Sequence, residues 1–125
     1  CGDDARLQTV RLLMASPERL PFLDGTFDRV LYVGGIHGQA DPSAVLAELT
    51  RVTSDDGLVL VVDERADASG GITGWRRRVL ASLGATEPNT RPLHELAPAG
   101  AQDVQIHALD PVLEAMSLRP AARTP

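Results

Sequence analysis

Leu58 to Val62 reads Leu-Val-Leu-Val-Val, an aliphatic run with no polar interruption. Its length and β-branched content make it a strand. Its lack of alternation predicts that both faces are covered, as in a parallel sheet. Parallel neighbours cannot be joined by a tight turn, so the run demands a crossover connection, and the preceding residues supply one. Phe27 to Val33 (FDRVLYV) is a second strand, leaving through Gly34-Gly35, where the backbone can enter conformations closed to other residues. Asp41-Pro42 opens a helix, with Asp as the cap and Pro at the first helical position. Val45, Leu46, Leu49 and Val52 then form one apolar stripe, and Ser54-Asp55-Asp56-Gly57 stops the helix. Ser16 to Glu64 is therefore a βαβ unit. Leu60, at the middle of its last strand, is expected to be deeply buried.

The flanks are weaker. Val10 to Met14 (VRLLM) is a short apolar run and reads as a further strand, followed by the turn signals Pro21 and Asp24-Gly25. Residues 65–73 form a loop. Trp75, Val79, Leu80 and Leu83 give a second helical stripe closed by Gly84, and a short helix follows Pro92. Asp103 to Leu109 and Val112 to Leu118 are two closing strands, parted by Asp110-Pro111. Residues 1–9 and 119–125 are expected to be loose. The expected fold is α/β, a single domain over 1–125, with parallel strands, an antiparallel C-terminal hairpin and helices on the faces.

Charge and composition narrow the function classes. The net charge of −5, from 17 acidic against 12 basic residues, disfavours nucleic acid and anionic membrane as partners. Phe22, Phe27, Tyr32 and Trp75 are the whole aromatic set, too sparse for a base-stacking platform. No apolar run approaches the roughly 20 residues that cross a bilayer. A single cysteine, Cys1, excludes an internal disulfide and fits a reducing cytoplasm. No HExxH, no paired Cys/His spacing and no carboxylate cluster supports a metal.

Residues 18–42 (ERLPFLDGTFDRVLYVGGIHGQADP) and 44–64 (AVLAELTRVTSDDGLVLVVDE) together resemble the class I S-adenosylmethionine-dependent methyltransferases. The resemblance runs from Val10 to Leu118. It implies a partial Rossmann-like sheet holding the family's third, fourth, fifth, sixth and seventh strands, with S-adenosylmethionine as cofactor. The family's glycine-rich cofactor loop, expected earlier in the chain, has no counterpart in these residues. The resemblance therefore implies a truncated or degenerate methyltransferase-family domain with weak cofactor binding by this chain alone. The alternative is a non-catalytic binding or dimerisation module on the same scaffold.

The resemblance also assigns candidate cofactor contacts. Ser16 falls where the family carries an adenine-binding acid, and Glu18 follows two residues later. Val33, Gly34, Ile36 and His37 fall on the segment lining the methyl-donor pocket. His37, a side-chain type that titrates near neutrality, is the one candidate general base. Asp63 and Glu64 read as solvated strand-end charges, with a catalytic carboxylate as the alternative. Residues 75–78 (Trp-Arg-Arg-Arg) read as a solvated helix face rather than an anion site, and His94 and His107 as structural or exposed. In the family, two further strands separate the strand matching Val10–Met14 from the one matching Phe27–Val33. Without them, either Val10–Met14 shifts inward to pair with Phe27–Val33 or another chain covers the edge. A homodimer or a partner chain is the expected assembly.

Overall fold

The fold comes from a computed structural model, which describes residues 10–65, 79, 82–83, 91–111 and 113–122. The βαβ unit forms as expected. Strand β1 spans Phe27–Val33, helix α1 spans Pro42–Val52, and strand β2 spans Thr53–Glu64. β1 and β2 run parallel, with Val30 opposite Val59, Leu31 opposite Leu60 and Tyr32 opposite Val61. The C-terminal hairpin follows as β3 (Gln102–Ala108) and β4 (Leu113–Arg119), antiparallel to each other, with β4 antiparallel to β2. Among the described residues this makes one mixed sheet in the order β1-β2-β4-β3. A short 3-10 helix, Leu93–Leu96, forms after Pro92.

α1 begins where its capping signals place it. The Asp41 carboxylate accepts a hydrogen bond from the Ala44 amide at 3.0 Å, and Pro42 takes the first helical position. Its apolar stripe, Val45, Leu46, Leu49 and Val52, is buried. This stripe closes over alternate residues of the sheet, so that Val59, Val61, Met116 and Leu118 join Leu93, Leu96 and Ile36 in one core. The helix passes into β2 with no separate turn. Residues 54–57 instead bulge out of the ladder, because Phe27 pairs with Thr53 while Arg29 already pairs with Leu58. Gly57 sits in the crowded neck of that bulge.

Three expectations are corrected. Val10–Met14 is not a strand: the segment is unpaired, with Leu12 96% and Met14 99% exposed. An isolated apolar run has no ladder to complete its backbone hydrogen bonds, and β1 offers its edge without receiving it. The inward shift is thus absent. Leu60 is half-buried, whereas Val59 and Val61 on either side are fully buried. α1 covers only one face of the sheet, so the continuous aliphatic run alternates in burial. Finally, Arg119 is not loose; it closes β4 opposite Gln102, and Pro120 is buried. The second helical stripe expected over Trp75–Leu83, the basic run at 76–78 and the loose ends at 1–9 and 123–125 fall wholly or mostly outside the described residues.

Candidate functional site

The C-terminal ends of β1 and β2 lie side by side, the place where open α/β sheets hold ligands. β1 leaves the sheet through Gly34 and Gly35, at φ 72° and 85°. Only glycine takes two such residues in succession at no steric cost. A Cβ at either position would meet nothing within 4 Å, so the conformation, not crowding, requires glycine, and the space above the turn is open. A one-turn 3-10 helix, Ile36–Gly38, follows.

The turn is held from the β2 side. The Gly34 amide donates to the Val62 carbonyl at 2.8 Å, extending the parallel ladder by one rung. The Ile36 amide donates to Asp63 Oδ2 at 2.7 Å, and the Glu64 amide donates to Oδ1 of the same carboxylate at 2.8 Å. Asp63 is 6% exposed. The expectation of a solvated strand-end charge is therefore wrong for Asp63. Its place was legible: Val59, Val61 and Asp63 share one face by the two-residue period of a strand, and that is the face α1 buries. A carboxylate there needs donors, and the turn's amide supplies one. Tyr32 was also overlooked. Its hydroxyl accepts from Gln39 Nε2 at 3.4 Å. Burial pushes the Tyr32 phenol above its ordinary pKa, the Gln39 bond partly offsets this, and the nearby Asp63 charge raises it further.

The candidate residues separate into two places. Val33, Gly34, Ile36 and His37 are consecutive parts of the β1 exit, with Val33 66% exposed. The Ile36 side chain is fully buried in the core and its amide is taken by Asp63, so it supports the turn from beneath. The His37 ring is the opposite case: both nitrogens are shut off from solvent and have no hydrogen-bond partner among the described residues. Ser16 and Glu18 are exposed on a turn closed by the Arg19 amide donating to the Ser16 carbonyl at 3.0 Å. No hydrogen bond or ion pair among the described residues joins that turn to the β1 exit.

Residues 2–61 match the family model described as a methyltransferase domain. Over these residues, just under half of the chain, the sequence is similar to the methyltransferase-domain family. A demethylmenaquinone methyltransferase from Parafrankia sp. (strain EAN1pec) is 44% identical over 55 residues, 42% of this chain and 22% of that protein. Two solved structures share the fold. A SAM-dependent methyltransferase from Thermotoga maritima aligns with TM-score 0.64 at 22% identity, over 92% of this chain and 66% of that one. A chain of the Haloferax volcanii complex between the Trm112 methyltransferase activator and a methyltransferase aligns with TM-score 0.60 at 17% identity, over 97% and 67%. The chain thus spans about a fifth of the curated relative it matches and about two thirds of each of these structures. Among the described residues, no helix is long and apolar enough to cross a membrane.

Proposed function

We propose that the β1 exit, Val33 to His37, is the methyl-donor side of an S-adenosylmethionine site, and that Ser16 and Glu18 lie on its adenine side. The observation that carries this is the His37 ring, whose buried nitrogens have no partner among the described residues, beside a double-glycine turn under open space. Buried polar atoms without partners are rare in finished structures, so a ligand group is the natural complement. The cofactor presents oxygen and nitrogen atoms for such contacts and, when bound, supplies a methyl group on a sulfonium. In this chain, Val33 and the two glycines would bound the pocket, Ile36 and Asp63 would hold its floor, and His37 would hydrogen-bond the cofactor or the acceptor. His37 is also the candidate base; no other catalytic residue is assigned.

The reading extends to a part-site. The family's glycine-rich loop has no counterpart in these 125 residues, and methyl transfer depends on alignment above all. The rest of the cofactor site then comes from sequence outside them, in the same polypeptide or in another chain. As an isolated polypeptide these residues are expected to bind S-adenosylmethionine with a dissociation constant of about 1 mM or weaker, roughly 4 kcal/mol of binding. Titration calorimetry tests this, and a micromolar isotherm would contradict it.

A second reading, a binding or dimerisation module that keeps the scaffold, is favoured by the apolar edge at β1. Leu31 and Val33 are 63% and 66% exposed, and the nearby sequence adds Leu12 and Met14. Exposed apolar surface beside a strand edge that is unpaired among the described residues is a template for association. A second copy or a partner chain covering β1 is compatible with either reading, as is a cytoplasmic location.

A further inference from the structure

We propose that Asp63 is a positioning residue: its carboxylate latches the β1 exit turn and thereby sets the glycine pair and the His37 ring in their ligand-facing arrangement. The proposal rests on the cofactor-site reading of that turn, although its test does not. The turn needs an outside anchor. Gly35 stands at the cap position of the 3-10 helix and has no side chain with which to cap it. The first helical amide, on Ile36, is met instead by Asp63, 27 residues away on the neighbouring strand. The same carboxylate binds the Glu64 amide with its other oxygen, so each oxygen is engaged by a backbone group and its direction is fixed. Such charge-assisted bonds are short and about twice as strong as neutral ones.

The rest of the turn depends on this contact. The Gly38 and Gln39 amides donate to the Gly35 and Ile36 carbonyls, both at 3.2 Å, closing the one helical turn on itself. The Gly35 and His37 amides have no partner among the described residues. Without the latch, two glycines in succession leave the segment free to rotate, and the His37 ring rotates with it. The Ile36 side chain stays in the core in either case, so loss of the latch loosens the turn without opening the core.

Amide hydrogen exchange followed by NMR on the full chain reads this directly and needs no cofactor. In Asp63→Ala, the Ile36, Gly38 and Gln39 amides are expected to exchange about tenfold faster or more, while Val59 and Val61 in the core of β2 keep the parent's rates. Asp63→Asn keeps one carbonyl acceptor and is expected to fall between the two. If Asp63→Ala does not fold, the Asn variant alone decides, with faster exchange confined to the turn. A purely structural role would instead raise exchange at Val59 and Val61 in step with the turn. Equal exchange at Ile36 in parent and Asn variant, or a rise spread evenly through β2, overturns the proposal. A parallel titration of both chains with S-adenosylhomocysteine keeps the two claims apart. A parent that shows no shifts at Gly34 to His37 counts against the cofactor site, whereas the exchange result still decides the latch.

Discussion

Gly57 shows how a single residue fixes the path from helix to strand. A Cβ there would lie 2.5 Å from Thr53 Cγ2 and 2.9 Å from the carbonyl oxygens of both Asp28 and Ser54. Thr53 cannot move aside easily, since it is fully buried and its hydroxyl donates to the Leu49 carbonyl at 2.6 Å. Gly57→Ala is therefore expected to destabilise the chain by about 1–3 kcal/mol, as overpacked sites do, read as a lower urea midpoint. Glu48 makes a different kind of contact. It accepts from Arg51 at 2.7 and 2.8 Å and from the Leu20 amide at 2.8 Å, while Arg51 also reaches Asp24. The Arg51 hydrogen bonds, foremost, hold the Glu48 carboxyl below its ordinary pKa of 4.5 despite its burial. A depressed folded-state pKa gives stability that is complete above the unfolded value and lost as pH falls through the folded one. The urea midpoint of the parent should thus fall more steeply below about pH 4.5 than that of Glu48→Gln. Parallel curves for the two chains would contradict the assignment.

The elements were legible to different degrees, for physical reasons. α1 could be read almost to the residue because cap, proline and stripe all point the same way. Asp41→Ala is expected to cost about 0.5–2 kcal/mol in a thermal melt, with no loss meaning that the Ala44 contact at 3.0 Å contributes nothing. β2 was legible as a strand but not in its burial. An aliphatic run records what a residue tolerates, whereas exposure depends on which neighbours arrive, and α1 arrives on one face only. Met116→Ala, in the fully buried layer, should cost about 2–5 kcal/mol, and Leu60→Ala about 1–2 kcal/mol for its half-buried surface. Equal losses would mean that the second face is as well covered as the first. Val10–Met14 misled because apolar character alone does not make a strand, which needs a partner ladder that no local pattern reports. The site was half legible for a related reason. The double glycine and His37 announce themselves in sequence. The Asp63 contact spans 27 residues and emerges only once strand phase is combined with the βαβ geometry.

At the scale of the molecule, one face of the β1–β2 pair is packed and the other carries Leu31 and Val33 into solvent. If a second copy covers this edge, static light scattering at micromolar concentration will report twice the monomer mass, and Leu31→Lys with Val33→Lys will restore the monomer. A monomer at the same concentration before any substitution contradicts a homodimer. The central claim, however, concerns the turn after β1, and one titration tests it most directly. Isotope-labelled chain is titrated with S-adenosylhomocysteine into the millimolar range while the backbone amides are followed by NMR. The cofactor-site reading predicts that Val33, Gly34, Gly35 and His37 shift together, with a dissociation constant of about 1 mM or weaker. If those amides stay in place while amides elsewhere in the chain shift, the β1 exit is not a cofactor site.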